Sequence, residues 1–158
     1  VVVAANFNAP GQVAVSGDVD AVDKLGELAA SAGARKVVQL AVGAAFHSPL
    51  MEPAAIEMSV LISEIELRQP AVPVVTIFGT RPVTEVAQLR DHLVKQITHP
   101  VGWTASMRSL IHLGLDRAIE VGPGVVLKGL MRRIDRNVAV TTAATREELE
   151  AVIDGQSE

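Results

Sequence analysis

Ala44-Ala45-Phe46-His47-Ser48-Pro49-Leu50-Met51 sets a histidine at the mouth of a helix. Ser48 is a good N-cap and Pro49 suits the first helical position. Met51, Ala54, Ala55, Met58, Leu61, Ile62 and Ile65 then recur at helical spacing. His47 is therefore expected just outside the helix N-terminus. There the positive end of the helix dipole disfavours imidazolium, so a neutral ring able to take a proton is expected, as a general base requires. The competing reading is a capped helix preceded by a histidine that only packs.

Strands and helices alternate outward from this stretch. Downstream, Val72-Pro73-Val74-Val75-Thr76-Ile77-Phe78 is a short apolar run closed by Gly79 that suits a buried strand. Thr84 can cap a helix lined by Val86, Leu89, Leu93 and Ile97 and stopped by Pro100. Trp103, Met107, Leu110 and Ile111 give a further amphipathic face ended by Gly114. Arg117 to Val121 reads as a strand, Gly122-Pro123-Gly124 as a tight turn, and Val125, Leu127, Leu130, Met131 and Ile134 as a helix. Val138 to Thr141 is a last strand, Thr145-Arg146-Glu147-Glu148 is a capping box, and residues 155–158 should fray.

Upstream, Val1 to Ala5 and Gln12 to Gly17 look like two strands joined through the turn residues 6–11. Asp18 or Asp20 can cap a helix carrying Val22, Leu25, Leu28, Ala29 and Ala32, with Gly33 to end it. Lys36 to Leu40 then returns as a strand. This ββαβ order is what remains of a split βαβ, ferredoxin-like unit if its first strand and helix lie upstream. Val1 to Ala5 shows no initiator Met or charged leader, so the sequence is expected to start within something longer.

The chain has 158 residues, 49% of them hydrophobic and 20% charged, which suffices for one globular domain with a core. A net charge of -4 without a basic aromatic patch argues against nucleic-acid binding. The absence of Cys excludes disulfides and thiolate metal sites. No apolar run reaches the ~18 residues of a membrane span. Neither a nucleic-acid nor a membrane partner is expected.

His47, His92, His99 and His112 lack the paired spacing of metal ligands. No serine sits in the G-x-S-x-G pattern of a nucleophile elbow. Ser16 lies at a strand end and Ser48 is explained as a cap, so the sequence offers a base without its nucleophile. Gly122-Pro123-Gly124 could present backbone N–H groups to an anion, or be a plain turn. Lys128, Arg132, Arg133 and Arg136 fall along one side of the following helix, either as a solvated face or as an attractor of phosphates or an acidic partner. Asn6, Asn8 and Gln12 cluster around one expected turn, where Asx-type bonding explains them without a ligand.

Together the stretches are far more specific than any one of them. Asn6-Phe7-Asn8-Ala9-Pro10-Gly11-Gln12 with Val15-Ser16-Gly17, Phe46-His47-Ser48-Pro49-Leu50-Met51, Pro73-Val74-Val75, Gln96 before Pro100-Val101-Gly102-Trp103, and Glu120-Val121-Gly122-Pro123-Gly124 with Val126-Leu127 resemble the malonyl-CoA:acyl carrier protein transacylases in order and spacing. The acyltransferase domains of polyketide synthases share the pattern. The resemblance covers nearly the whole chain but only the C-terminal half of the family's catalytic unit. Its G-H-S-x-G-E elbow, its carboxylate-binding arginine and its N-terminal glutamine have no counterpart here.

The resemblance implies an α/β fold. Residues 1–42 would be part of a ferredoxin-like subdomain, and 43–158 the C-terminal part of an α/β-hydrolase-like core. His47 takes the place of the catalytic histidine, which accepts the proton of the serine hydroxyl and later that of the carrier's pantetheine thiol. Gln96 matches the residue whose backbone carbonyl orients that imidazole. Phe46 resembles the malonyl-selective version, and Phe46, Asn6 and Asn8 are the substrate-binding candidates. Where the family usually has Ser-Asn after its Pro-Val-Val strand, this chain has Thr76-Ile77.

The implied function is transfer of malonyl from coenzyme A to the carrier thiol through an acyl-serine, in the cytoplasm. The implied partners are acyl carrier protein, malonyl-CoA and an N-terminal half. No cofactor is implied, the coenzyme A thioester being substrate. The chain alone should not turn over, and its uncovered faces should make it associate or be only marginally stable. The alternatives are a polyketide synthase acyltransferase domain of another acyl specificity, or a non-catalytic module docking a carrier protein through Lys128, Arg132 and Arg133.

Overall fold

The computed structural model describes residues 1–155. The fraying expected over 155–158 falls mostly outside the described residues.

Strand β1 (Val2–Ala9) and strand β2 (Gln12–Gly17) form an antiparallel hairpin, with Gly11 at φ 72° in the two-residue turn. Asn6 and Asn8 thus lie in a strand, not in the turn expected over 6–11. The hairpin closes later than expected, β2 pairing with β1 out to Ala9 and Gln12, and Val101 braces the other edge: Phe7 N–H donates to Val101 O at 2.9 Å and Val101 N–H to Ala5 O at 2.8 Å. Ala5 and Ala9 are buried there.

Helix α1 (Val19–Ser31) follows with Asp18 at its N-cap position, where its side chain makes no cap bond. Gly33, at φ 88°, ends the helix as expected. The strand expected over Lys36 to Leu40 is not formed. That segment is irregular and exposed, with no ladder partner among the described residues, so the ββαβ order stops at ββα. Strand propensity without a neighbour to pair is insufficient.

A 3-10 turn, Pro49–Met51, leads into helix α2 (Glu52–Glu64). Of the apolar positions expected to line its buried face, Ala55 and Ile62 are buried, whereas Met58, Leu61 and Ile65 are exposed. Helix α3 (Val86–Lys95) covers only one side of α2, and Arg90 Nη2 donates to Ile65 O at 2.8 Å to tie them. Glu85, not Thr84, occupies the N-cap position of α3. The strand expected over Val72 to Phe78 is reduced to a single bridge, Val74 with Val83. Pro73 has no N–H to donate, and among the described residues no second strand lies alongside.

The C-terminal third follows its local signals closely. Helix α4 (Trp103–His112) precedes strand β3 (Arg117–Val121), helix α5 (Val126–Ile134) and strand β4 (Ala139–Ala143). β3 and β4 pair in parallel from Arg117 with Ala139 to Val121 with Ala143, α5 serving as the crossover. Helix α6 (Arg146–Asp154) opens on the expected capping box, Glu148 N–H donating to Thr145 Oγ1 and Thr145 N–H to Glu148 Oε2. The core cluster is Met107, Met131 and Val138, surrounded by Trp103, Leu110, Ile111, Leu115, Ile134 and Val140. The chain is thus a mixed α/β structure with two two-stranded sheets among the described residues.

Candidate active site

Two helix ends meet at His47. From one side comes the C-terminus of α3, where Gln96 is the C-cap. Carbonyls in the last turn of a helix have no intrahelical donor and carry the negative end of its dipole. The Gln96 carbonyl is one of these, and His47 Nδ1 meets it at 2.8 Å. A carbonyl oxygen can only accept, so Nδ1 carries the hydrogen and the neutral ring keeps its lone pair on Nε2. His47 N–H also donates to Ile97 O at 3.2 Å, so ring and backbone are tied to the same turn.

From the other side comes the 3-10 turn that starts α2. Ser48 is fully buried; its Oγ donates to Ala45 O at 2.6 Å and accepts from Leu50 N–H at 3.3 Å. This closes residues 45–50 into one rigid unit, with Ser48 as the expected cap. His47 is held there at φ 60°, the one non-glycine residue with positive φ among the described residues. A left-handed backbone at a residue with a Cβ costs about 1–3 kcal/mol and persists where surrounding bonds over-determine it.

His47 opens onto a cleft of about 300 Å³ lined also by Val3, Pro49, Glu52, Thr98 and His99. That is the lower end of the size range for small-molecule sites. Phe46 is 49% exposed beside the histidine. Asn6 and Asn8, half-buried on β1, do not line this cleft, and neither makes the Asx-type bond expected of it. The sequence reading also passed over Glu52 and His99 as cleft residues. The adjacency of His99 to the Pro100-Val101-Gly102-Trp103 stretch was the available signal.

The Gly122-Pro123-Gly124 turn does not present an open anion site. The Glu120 carboxylate already accepts from Leu127 N–H at 2.8 Å and Lys128 N–H at 2.9 Å, filling the N-terminus of α5 with an anion of the chain's own. Glu120→Ala should therefore lower the stability of the chain to urea by about 1–2 kcal/mol, since two charge-assisted bonds are lost at once. On the basic side of α5, Arg133 bonds Gln12 Oε1 and Pro10 O and so ties α5 to the hairpin turn. Lys128, Arg132 and Arg136 are exposed and form no ion pair among the described residues.

The acyl transferase domain family matches residues 1–149. The malonyl CoA-acyl carrier protein transacylase of Salmonella typhimurium is 41% identical over 129 residues, covering 82% of this chain and 42% of that protein. The Staphylococcus aureus transacylase is 39% identical over 145 residues, covering 92% of this chain and 47% of its own length. Among solved structures, the acyl-carrier-protein-S-malonyltransferase of Bartonella henselae superposes with a TM-score of 0.94 at 34% identity, over the whole of this chain and 50% of its own. A malonyl-transacylase solved in complex with a type II polyketide synthase acyl-carrier protein gives 0.92 at 33% identity, over 98% of this chain and 50% of its own. The chain spans about half the length of the relatives it matches. With its match running from the first strand into α6, it belongs to the acyl transferase domain family.

Proposed function

We propose that this chain is the histidine-bearing half of a malonyl-CoA:acyl carrier protein transacylase. The observation that carries the reading is the 2.8 Å bond between His47 Nδ1 and the Gln96 carbonyl, which leaves Nε2 as the basic nitrogen. In the proposed reaction Nε2 takes the proton of a serine hydroxyl as its oxygen attacks the malonyl thioester carbonyl, and gives that proton to the departing coenzyme A sulfur. In the second half-reaction Nε2 takes the proton of the carrier's pantetheine thiol. The sulfur attacks the malonyl-serine ester, and the proton returns to the serine oxygen. The serine belongs to an N-terminal half, because no serine of this sequence has the elbow pattern. Phe46 beside the base favours malonyl over larger acyl groups.

Residues 1–42 are read as part of a ferredoxin-like subdomain and 43–158 as the C-terminal part of a hydrolase-like core. The antiparallel hairpin followed by α1 supports the first, and the parallel β3–α5–β4 unit supports the second. Exposed apolar side chains such as Val37, Leu40, Ile56, Leu61 and Val72 suit contact with the complementary half. Lys128, Arg132 and Arg136 suit an acidic carrier protein. No helix among the described residues is long and apolar enough to cross a membrane; the cytoplasm as the place of reaction is carried over from the family resemblance.

The test is transfer of radiolabelled malonyl from coenzyme A to acyl carrier protein, by this chain alone and by this chain co-expressed with a family N-terminal half. Transfer by the pair, and none by the chain alone, is expected. A pair that assembles, contains the serine and still transfers nothing would leave a carrier-binding module as the better reading.

A further inference from the structure

The carbonyl that orients His47 is itself held from below. Gln96 closes α3, and its N–H donates to His92 O at 3.0 Å. His92 is 6% exposed, and its Nδ1 shares a hydrogen bond of 2.8 Å with Thr76 Oγ1, which also accepts from Gly79 N–H at 3.0 Å. The backbone of Gly79 lies so close that a Cβ there would sit 2.5 Å from His92 Cε1, so the ring is clamped between residues 76 and 79.

Phe78, between these two residues, completes the arrangement. Its ring meets His92 edge-on at 5.2 Å and His99 edge-on at 5.0 Å, and Lys95 Nζ lies 5.7 Å from its centroid. His92 precedes Gln96 by one helical turn and His99 follows it. His99 in turn bonds back to Lys95 O through both its N–H, at 3.0 Å, and its Nδ1, at 2.9 Å. The segment from His92 to His99 is therefore wrapped around one aromatic ring, with the Gln96 and Ile97 carbonyls that hold His47 in the middle of the wrap.

We propose that Thr76 and Phe78 are positioning residues for His47: the Thr76–His92 bond and the Phe78 ring fix the final turn of α3 so that the Gln96 carbonyl selects the Nδ1–H tautomer of His47. The inference deepens the base assignment made above and rests on it.

The experiment uses the 158-residue chain labelled with 15N-histidine. Long-range proton–nitrogen spectra report which nitrogen of His47 carries the hydrogen, the signal being assigned by its absence in His47→Asn. Thr76→Val keeps the side-chain shape and removes the hydroxyl, and should lower the Nδ1–H to Nε2–H ratio of His47 roughly fivefold, the effect of about one net hydrogen bond. Phe78→Leu should shift the ratio in the same direction. Thr76→Ser restores the hydroxyl and should keep the original ratio. If Thr76→Val and Phe78→Leu remain folded, melt at lower temperature and leave the His47 ratio unchanged, the two residues only stabilise the fold and the proposal is overturned. If one variant fails to fold, the other decides. If His47 of the unsubstituted chain does not carry its hydrogen on Nδ1, the base assignment fails first, an outcome visible before any variant is compared.

Discussion

His47→Ala, in this chain assembled with a family N-terminal half, is expected to lower malonyl transfer about 10²- to 10⁴-fold, the usual worth of a positioned general base. The loss should fall on both half-reactions, because in the proposed reaction the same Nε2 takes the serine proton in one and the thiol proton in the other. His47→Asn is the sharper control. Asparagine tolerates the left-handed backbone that His47 adopts at φ 60°, and its amide can still donate to the Gln96 carbonyl at the position where Nδ1 donates at 2.8 Å. It supplies no basic nitrogen. Asparagine should thus keep the fold and the carbonyl contact and lose the rate, as measured by malonyl loading and by carrier acylation separately. Equal transfer by the His47→Asn pair and the unsubstituted pair would reduce His47 to a packed residue.

The parts of the fold that local chemistry determines were legible in the sequence. The Thr145–Glu148 capping box opens α6, Gly33 and Gly114 stand at positive φ after α1 and α4, and the Arg117–Val121 strand follows its alternation. What failed depended on partners distant along the chain. Asn6 and Asn8 carry turn-forming side chains, yet β1 runs on through them, paired with β2 on one edge and braced by Val101 on the other. The Lys36–Leu40 and Val72–Phe78 segments have strand composition and, beyond the Val74–Val83 bridge, no ladder to join among the described residues. The site divides in the same way. A histidine before a Ser-Pro helix start was readable on its own, whereas its contact with Gln96, 49 residues away, came from the family resemblance. The clamp of Thr76 on His92 was readable from neither, since His92 lies on α3 with nothing in its spacing to mark it as buried.

Met131→Ala should cost the chain about 2–5 kcal/mol of stability, measured by urea unfolding, while Met131→Leu, nearly equal in volume, should cost less than about 1.5 kcal/mol. Met131 is 3% exposed and packs with Met107 and Val138 where α4, α5, β3 and β4 converge. Apolar contact around Met107 and Met131 joins α4 to α5, and truncating Met131 opens a cavity at that contact. The loss also reaches the hairpin, because α5 carries the Arg133 contacts to Gln12 and Pro10. His47 is held by α3 and the turn before α2, outside this cluster, so the tautomer ratio of His47 should be unchanged in Met131→Ala below its melting temperature. A change in that ratio would mean that the two parts of the chain are coupled more tightly than their contacts indicate.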